Sequence, residues 1–352
     1  LVRGFFGIIK ENNWEYYMTV KEFSDRDDIE SLLFKRKLIF SSDELQKVLK
    51  NNNYFNFFNG FESLLLYQRS PKLFKGETLS DFIRVNNFDK ELSKEILSLT
   101  KTIESKLKNS IAYHFSWKYC KTIPKTMEYT NMQNFLDPKN VSNYPFRNAQ
   151  NWNICNKFDD FYLFDESFSR KLMNNNDHIA YSIYSHNNKV LIPFWVAIET
   201  LEFGAVIRLL HYLDREVMQA VMKDFNLPIS DRFTFLNMID LIKELRNHCA
   251  HGSLACRFRS PKKIHLDRTL IHRFKLEPKY HNQGNNFSPS VISLFDTLKV
   301  INYFTDTKKV YKIIQKVIYQ NNRYFKGKYD LNERLLSRMG ETQLKKWKDV
   351  LK

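Results

Sequence analysis

The most regular hydrophobic pattern in the chain lies between Phe88 and Phe115. Apolar residues recur there at steps of three and four, at Phe88, Leu92, Ile96, Leu99, Ile103, Leu107, Ile111 and Phe115. This spacing predicts a long amphipathic helix, because residues three and four apart share one helix face. The apolar stripe is interpreted as a core seam, and His114 beside it as a packed or surface residue.

Helical patterns also occur on both sides of this segment. A serine followed three residues later by an acid predicts a capped helix over residues 24–37, and a second helix begins near Ser42. The stretch NNNYFNFFNGFESLLLYQRS predicts a turn that leads into a buried helix. Further helices are predicted from Pro193, from about Asp214, and over residues 231–251. The fold class expected from these patterns is all-α.

Two stretches depart from the helical pattern. Residues 121–189 contain Pro124, Pro138 and Pro145 and many Asn and Ser residues, which predicts irregular structure with short helices. Five aromatic residues in it need burial, which argues against disorder: Trp152, Phe158, Phe161, Tyr162 and Phe164. Few segments alternate with period two, although a small hairpin over residues 264–275 is an alternative there.

The charge balance indicates a polyanionic partner. The 352 residues include 55 Lys and Arg against 39 Asp and Glu, a formal net charge of +16. Such a surface attracts either nucleic acid or an anionic membrane. The membrane alternative is weaker, because Glu199, Glu202 and Arg208 interrupt the most apolar run, LIPFWVAIETLEFGAVIRLL. No secretory signal is visible, so a soluble protein without a membrane partner is expected.

The four cysteines do not suggest a disulfide framework or a zinc site. Cys120, Cys155, Cys249 and Cys256 include no C-x-x-C pair, and their scatter fits a reducing cytoplasm. Cys249 and Cys256 are alternatives as soft metal ligands together with His248 and His251, but their spacing is unlike that of structural sites. No metal and no cofactor are therefore expected.

The segment LRNHCAHGS, residues 245–253, concentrates polar groups at a predicted helix end. At about 100° per residue, Asn247 and His251 lie together on one side and Arg246 lies on the flank. The opposite side is apolar and is expected to face the core; it consists of Leu241, Ile242, Leu245 and Cys249. Gly252 is a suitable terminator. The five-residue step from Arg246 to His251 separates their directions, so a second copy of the chain would help both to reach one atom.

These residue types suit phosphodiester transfer. Arginine offers a permanent charge and planar donors to phosphate oxygens, and histidine exchanges protons near neutral pH. If the substrate is RNA, its own 2′-hydroxyl is the nucleophile, and the protein supplies proton transfer and charge stabilisation without a metal. A structural role is the alternative: His251 caps the helix C-terminus and Arg246 forms a salt bridge.

Arg246, Asn247 and His251 resemble the R-x4-6-H signature of HEPN ribonucleases, with a polar residue directly after the arginine. IPFWVAIETLEFGAVIRLL, NYFNFFNGFESLLL and FDKELSKEILSLTKTIESKLKNSIAYHFSWKY resemble bacterial abortive-infection proteins of the AbiD/AbiF type, and the similarity spans roughly residues 22–259. Residues 121–189, the tail beyond Pro261 and His248 fit the pattern least.

The resemblance implies phage defence through a helical HEPN domain. Its relatives include the nucleases of RNA-guided type VI CRISPR effectors, and some members are associated with a small non-coding RNA. It further implies that Arg246 and His251 are the catalytic pair, that Asn247 orients them, and that two copies form a composite site as a homodimer, unless bound RNA keeps the chain monomeric.

Two basic segments are candidate RNA surfaces. Residues 256–279 hold eight Lys and Arg against two acids, and residues 308–352 hold thirteen against four, with aromatic residues interspersed. The candidate RNA-binding residues are Arg257, Arg259, Lys262, Lys263, Arg268, Arg273, Lys275, Lys308, Lys309, Lys312, Lys316 and Arg323. The alternative is an amphipathic C-terminal helix whose aromatics pack inward and whose lysines are solvated.

Three regions are expected: an N-terminal helical region (1–78), an HEPN-like helical core with an irregular insertion at about 121–190 (79–260), and a basic RNA-contacting region (261–352). Two functional hypotheses remain at this point. The first is a metal-independent HEPN endoribonuclease that binds a structured non-coding RNA, and the second is a non-catalytic module that sequesters or senses such an RNA.

Overall fold

The computed structural model describes residues 23–146, 152–165, 167, 184–186, 189–262, 264–283 and 286–351. The α-helices in this part are α1 (Arg26–Lys35), α2 (Ser42–Asn51), α3 (Gly60–Leu65), α4 (Leu79–Tyr119), α5 (Trp152–Asn156), α6 (Phe194–Ala197), α7 (Phe203–Tyr212), α8 (Arg215–Asp224), α9 (Arg232–Ala250), α10 (Arg268–Phe274), α11 (Leu294–Phe304), α12 (Lys308–Tyr324), α13 (Leu331–Met339) and α14 (Leu344–Leu351). The strands pair as antiparallel hairpins: β1 (Gln68–Arg69) with β2 (Lys72–Leu73), β3 (Tyr184–His186) with β4 (Lys189–Leu191), and β5 (Lys279–Gln283) with β6 (Asn286–Val291). The mainly helical fold confirms the predicted all-α class.

Helix α4 is the spine of the fold. It begins after Thr78, which forms a capping box with Asp81, and it runs for 41 residues, a length of about 60 Å. The predicted stripe is buried along its whole length from Phe88 to Phe115. Helices α8, α9 and α12 pack against it. The prediction of a core seam is confirmed, and the helix extends beyond the predicted limits at both ends.

The N-terminal helices lie close to their predicted positions. Helix α2 begins at Ser42, as expected. Helix α1 is capped by Asp25 rather than Ser24, because Asp25 and Asp28 form the reciprocal capping box. The asparagine-rich turn contains a π-helical segment, Phe55–Asn59, that continues directly into the buried helix α3.

Residues 121–146 and 152–165 consist of short 3₁₀ helices and loops together with α5, in agreement with the predicted irregular texture. Phe158 and Phe161 are buried in the core, and Phe164 packs against it. Tyr162, in contrast, is 42% exposed. The side chain of Trp152 and residues 168–183 lie outside the described residues.

The apolar run after Pro193 forms two helices rather than the single helix that was expected. Helix α6 and a 3₁₀ turn over Ile198–Thr200 end at Leu201, and α7 starts at Phe203. Between them Glu202 adopts an extended conformation. The break leaves Glu199 and Glu202 exposed while their apolar neighbours remain buried. Burial of acids that have no partner is therefore avoided.

The alternative of a hairpin over residues 264–275 is wrong. Helix α10 occupies this segment, because the Asp267 side chain accepts the N–H of Leu270 and caps the helix, and Lys275 closes it in the left-handed conformation. The hairpin in this part of the chain is β5–β6, which starts four residues further on. Among the described residues, no helix is both long enough and apolar enough to cross a membrane.

Candidate functional site

The segment with the Arg and His residues lies at the C-terminal end of α9. The predicted apolar face is buried, and its members are Leu241, Ile242, Leu245 and Cys249. The helix ends at Ala250, His251 is the C-cap residue, and Gly252 follows with a φ of +70°. That left-handed conformation favours glycine and stops the helix. The polar residues of the segment are thus held at the end of a well-packed helix, as predicted.

The Arg246 guanidinium has little competition from protein groups. Its Nη1 donates to Oδ1 of Asn247 at 3.2 Å, and both side chains are half-buried. Within the described part of the chain no carboxylate oxygen lies within 4 Å of Arg246, so the alternative of a structural salt bridge is not found there. Asn247 therefore steadies a guanidinium whose other donors remain available to a phosphate.

The His251 side chain is exposed at the helix end. Its backbone N–H donates to the carbonyl of Asn247 at 3.0 Å, while its imidazole makes no hydrogen bond to any residue that the structure describes. Positive charges at helix C-termini interact favourably with the helix dipole, so the capping alternative stays open. On an ideal helix the five-residue step from Arg246 to His251 corresponds to about 140° around the axis, so the two side chains leave the helix in different directions.

His248 has a structural role. Its Nε2 donates to the carbonyl of Leu254 at 2.8 Å, and its ring packs edge-on against Phe258 with a centroid distance of 5.2 Å. The first contact ties α9 to the turn that follows it. His248 does not match the R-x4-6-H pattern, and this environment explains why a histidine is nevertheless suited to the position.

A buried carboxylate on α4 holds the turn from the other side. Asp89 accepts the backbone N–H groups of Ala255 at 3.1 Å and Cys256 at 2.8 Å. Burial raises the pKa of Asp89, and the two backbone hydrogen bonds oppose that rise. Sequence analysis did not single out Asp89, although an acid beside Phe88 in an otherwise apolar face was a usable signal.

Two further contacts fix the turn. Arg338 of α13 contacts Cys256 in the turn and donates to the carbonyl of Gly60 at 3.0 Å, and burial lowers the pKa of its guanidinium. A Cβ at Gly60 would lie only 2.6 Å from Cδ1 of Leu254, so α3 approaches the turn as closely as a glycine permits. Nothing in the sequence indicated these contacts, because the partners are distant along the chain.

The first basic segment is divided by the structure. Its exposed residues, which have no ion pair within the described ranges, are Arg257, Lys262, Arg268 and Lys275. Arg259 is half-buried and donates to the carbonyl of Phe258 at 2.7 Å, and burial lowers its pKa. Arg273 forms an ion pair with Asp231. Lys263 lies outside the described residues.

The second basic segment forms a stripe on α12. Its exposed cations are Lys308, Lys309, Lys312, Lys316 and Arg323. Lys309 pairs with Glu95, and Lys316 pairs with Glu91 at 2.8 Å. Tyr319 and Tyr324 lie among these cations and are 64% and 54% exposed. The alternative that the aromatics pack inward holds for Tyr311 and Trp347, which are buried, but not for Tyr319 and Tyr324.

The cysteines near the motif are poorly suited to bind a metal. All four cysteines are buried as thiols, and burial raises the pKa of the Cys249 thiol to about 12, which disfavours the thiolate that a metal requires. Among the described residues, no group of three or more His, Cys, Asp or Glu side chains is arranged to hold a metal ion.

Comparison with known proteins gives a family and no individual relative. A family model described as "Abi-like protein" matches residues 47–254, more than half of the chain, from the end of α2 to the turn after the motif. No curated protein and no solved structure matches the chain significantly. The matched region includes α4, α9 and the Arg246 to His251 segment, and it supports a role in abortive infection. The chain belongs to the Abi-like protein family.

Proposed function

We propose that this Abi-like protein is an HEPN endoribonuclease of the AbiD/AbiF type that cleaves RNA without a metal during phage defence in the cytoplasm. One observation carries the proposal: Arg246, which has no carboxylate partner among the described residues, lies five positions before the exposed His251 at a helix end. A salt-bridged arginine or a buried histidine would argue for a structural role. Neither is found in the described residues.

The residues divide the reaction between them. The 2′-hydroxyl of the substrate attacks the adjacent phosphorus, the P–O5′ bond breaks, and the products carry a 2′,3′-cyclic phosphate and a 5′-hydroxyl. Arg246 binds the non-bridging phosphate oxygens, where negative charge develops. His251 transfers a proton, either from the 2′-hydroxyl or to the departing 5′-oxygen. Asn247 positions the guanidinium through its 3.2 Å contact.

A second copy of the chain completes the site in this proposal. The angle of about 140° between Arg246 and His251 is too large for one helix to aim both at the same phosphate. Two α9 helix ends facing each other across a two-fold axis bring the arginine of one protomer to the histidine of its partner. When the chain is bound to a structured non-coding RNA, the proposal is that it stays monomeric and does not form this dimer.

The remaining regions have assigned roles in the proposal. The core over 79–260 carries the HEPN site, 1–78 is an N-terminal extension, and 261–352 is the region that contacts RNA. The cations of α12, of which Lys312 is free of an ion pair within the described residues, meet the phosphates. Tyr319 and Tyr324 stack on unpaired bases.

The test is a cleavage assay with matched controls. Purified wild type, Arg246→Ala and His251→Ala are incubated with mixed RNA in the presence of EDTA, and the products are analysed for 2′,3′-cyclic phosphate ends. Arg215→Ala and His114→Ala, which remove an exposed arginine and a partly exposed histidine outside both the motif and residues 261–352, serve as controls. We expect cleavage by the wild type and both controls, and a loss of at least about a hundredfold in the two motif variants. Equal cleavage by all five proteins would refute the enzyme hypothesis.

The second candidate is a non-catalytic module that sequesters or senses a non-coding RNA. The exposure of Tyr319 and Tyr324 among the cations of α12 favours it, because this arrangement serves binding without requiring catalysis. In that case the wild type binds RNA, and no preparation produces cyclic phosphate ends. Cleavage that is lost in Arg246→Ala while RNA binding persists would eliminate this candidate.

A further inference from the structure

A groove of about 470 Å³ lies beside the turn that follows the motif. Residues 252–254 form one wall, the asparagine-rich segment 51–56 forms another, and α4 forms the base. Its volume falls within the range of about 300–1,000 Å³ that is typical of small-ligand sites. Because residues 252–254 directly follow His251 in the chain, the groove adjoins the proposed catalytic end of α9.

Asn86 is a largely buried residue that lines the groove. It lies on the α4 side of the groove, and only 8% of its surface is exposed. Its side chain makes no hydrogen bond to any residue in the described part of the chain. The groove that Asn86 lines is therefore the place where a ligand can hydrogen-bond to this amide.

The walls and the rim of the groove differ in character. Phe57, Leu97 and Leu254 supply apolar surface. Lys90 and Lys94 are exposed at the rim. The Nζ of Lys90 contacts Oδ1 of Asn52 at 3.1 Å, and Lys94 has no ion pair within the described residues.

The acid in the groove does not cancel this positive rim. Asp89 also lines it, but its two oxygens already accept the N–H groups of Ala255 and Cys256. The same two hydrogen bonds oppose the effect of burial on the Asp89 pKa, which burial nonetheless raises overall. An anion at the rim therefore meets two ammonium groups and a carboxylate that is turned toward the protein backbone.

We propose that this groove binds one unpaired nucleotide of RNA, with its base against Asn86 and its phosphate at Lys90 and Lys94. A side-chain amide offers both a donor and an acceptor, which matches the edge of a nucleobase. Apolar side chains cover the faces of the base, and the two ammonium groups neutralise the phosphate. The inference rests on the proposed function, because it identifies the nucleotide next to the scissile bond as the one that is recognised.

The first experiment measures binding of a labelled single-stranded RNA hexamer by fluorescence anisotropy. All proteins carry Arg246→Ala and His251→Ala, so that the RNA stays intact. Adding Asn86→Ala removes one buried amide, and we expect Kd to rise about fivefold. Asn87→Ala is the matched control, since Asn87 is the next residue on the same helix and is exposed; it leaves Kd unchanged. Equal affinities of these two variants would overturn the proposal.

A second variant tests the groove at an exposed position, so that the test does not depend on substituting a buried residue. Lys94→Gln removes one exposed cation, and it reduces the slope of log K against log salt concentration by about 0.7, as expected for one single-strand phosphate contact. An unchanged slope would overturn the phosphate assignment, including when Asn86→Ala fails to fold. The outcome is separable from that of the nuclease proposal. If motif variants still cleave RNA while Asn86→Ala weakens binding, the nuclease assignment fails and the nucleotide groove stands.

Discussion

The Asp89 carboxylate is the side chain on which the turn after the motif most depends, and Asp89→Ala tests this dependence. The substitution removes the acceptor of two buried backbone N–H groups, those of Ala255 and Cys256. An unpaired buried donor costs about 1–3 kcal/mol, so the two together cost about 2–6 kcal/mol. Part of this cost is offset, because the variant no longer buries a carboxyl group, and it is this burial that raises the pKa of Asp89. The expected loss in unfolding free energy is therefore near the lower limit, about 2–3 kcal/mol.

Urea unfolding followed by circular dichroism measures this loss, and hydrogen exchange locates it. The amides of Ala255 and Cys256 are expected to exchange faster in Asp89→Ala than in the wild type, while amides in the middle of α4 change only through the global loss of stability. Asn87→Ala, on the exposed face of the same helix, is the control and stays within about 0.5 kcal/mol of the wild type. RNA cleavage is expected to fall with the loosened turn, because this turn directly follows His251 in the chain. An unfolding free energy equal to that of the wild type, with unchanged exchange at these amides, would refute the argument.

Three further outcomes are expected. Gly252→Ala places a Cβ at a φ of +70° in otherwise open space, so it lowers the unfolding free energy by about 1 kcal/mol through backbone strain alone; urea titration against Gly204→Ala provides the comparison. Burial raises the pKa of Asp89 in the folded state above its value in the unfolded state. The contribution of Asp89 to stability is therefore full below the unfolded-state pKa and declines as the pH rises through the folded-state pKa. Unfolding free energies of the wild type and Asp89→Asn, measured over a pH series, detect this decline, and parallel curves would contradict it. Combining Lys312→Gln with Tyr319→Ala weakens RNA binding and its salt dependence, whereas Lys223→Gln, an exposed lysine on α8, leaves both unchanged.

Periodicity was sufficient to predict the elements that build the core. The Phe88 to Phe115 stripe, the start of α2 at Ser42 and the extent of α9 were all visible locally, because the burial of one helix face imposes a repeat of three and four on the sequence. The wrong predictions concern segments in which one or two charged side chains determine the local structure. The carboxylate of Asp267 turns an apolar stretch into α10 instead of a hairpin, and the need to expose Glu199 and Glu202 splits a continuous apolar run.

The site was only partly accessible to the same reasoning. Geometry on one helix correctly assigned the buried face of α9 and the position of Gly252. It could not reveal the contacts that Asp89 and Arg338 make with Cys256 in the turn, since tertiary packing brings these residues together over more than eighty residues of sequence. Likewise, the buried amide of Asn86 became apparent only when the groove around it was formed. The local sequence pattern identifies which chemical groups are present, whereas the residues that contact these groups depend on the assembled fold.

Whether one protomer or two supply the catalytic pair is decided by subunit mixing. Arg246→Ala and His251→Ala protomers each lack one member of the pair. If the arginine of one protomer acts with the histidine of its partner, a mixed dimer retains one complete pair, made of the arginine of the His251→Ala protomer and the histidine of the Arg246→Ala protomer. Random equimolar mixing makes half of the dimers mixed, so about a quarter of wild-type activity returns.

Mixing two inactive variants restores nothing if each protomer works with its own pair, because every such pair then lacks one member. Mixing each variant with itself controls for the exchange procedure, and light scattering with and without RNA verifies the assembly state. The angular separation of about 140° along α9 predicts recovery. Absence of recovery in demonstrably mixed dimers would show that the two side chains reach a common phosphate within one chain, and the composite site would have to be abandoned.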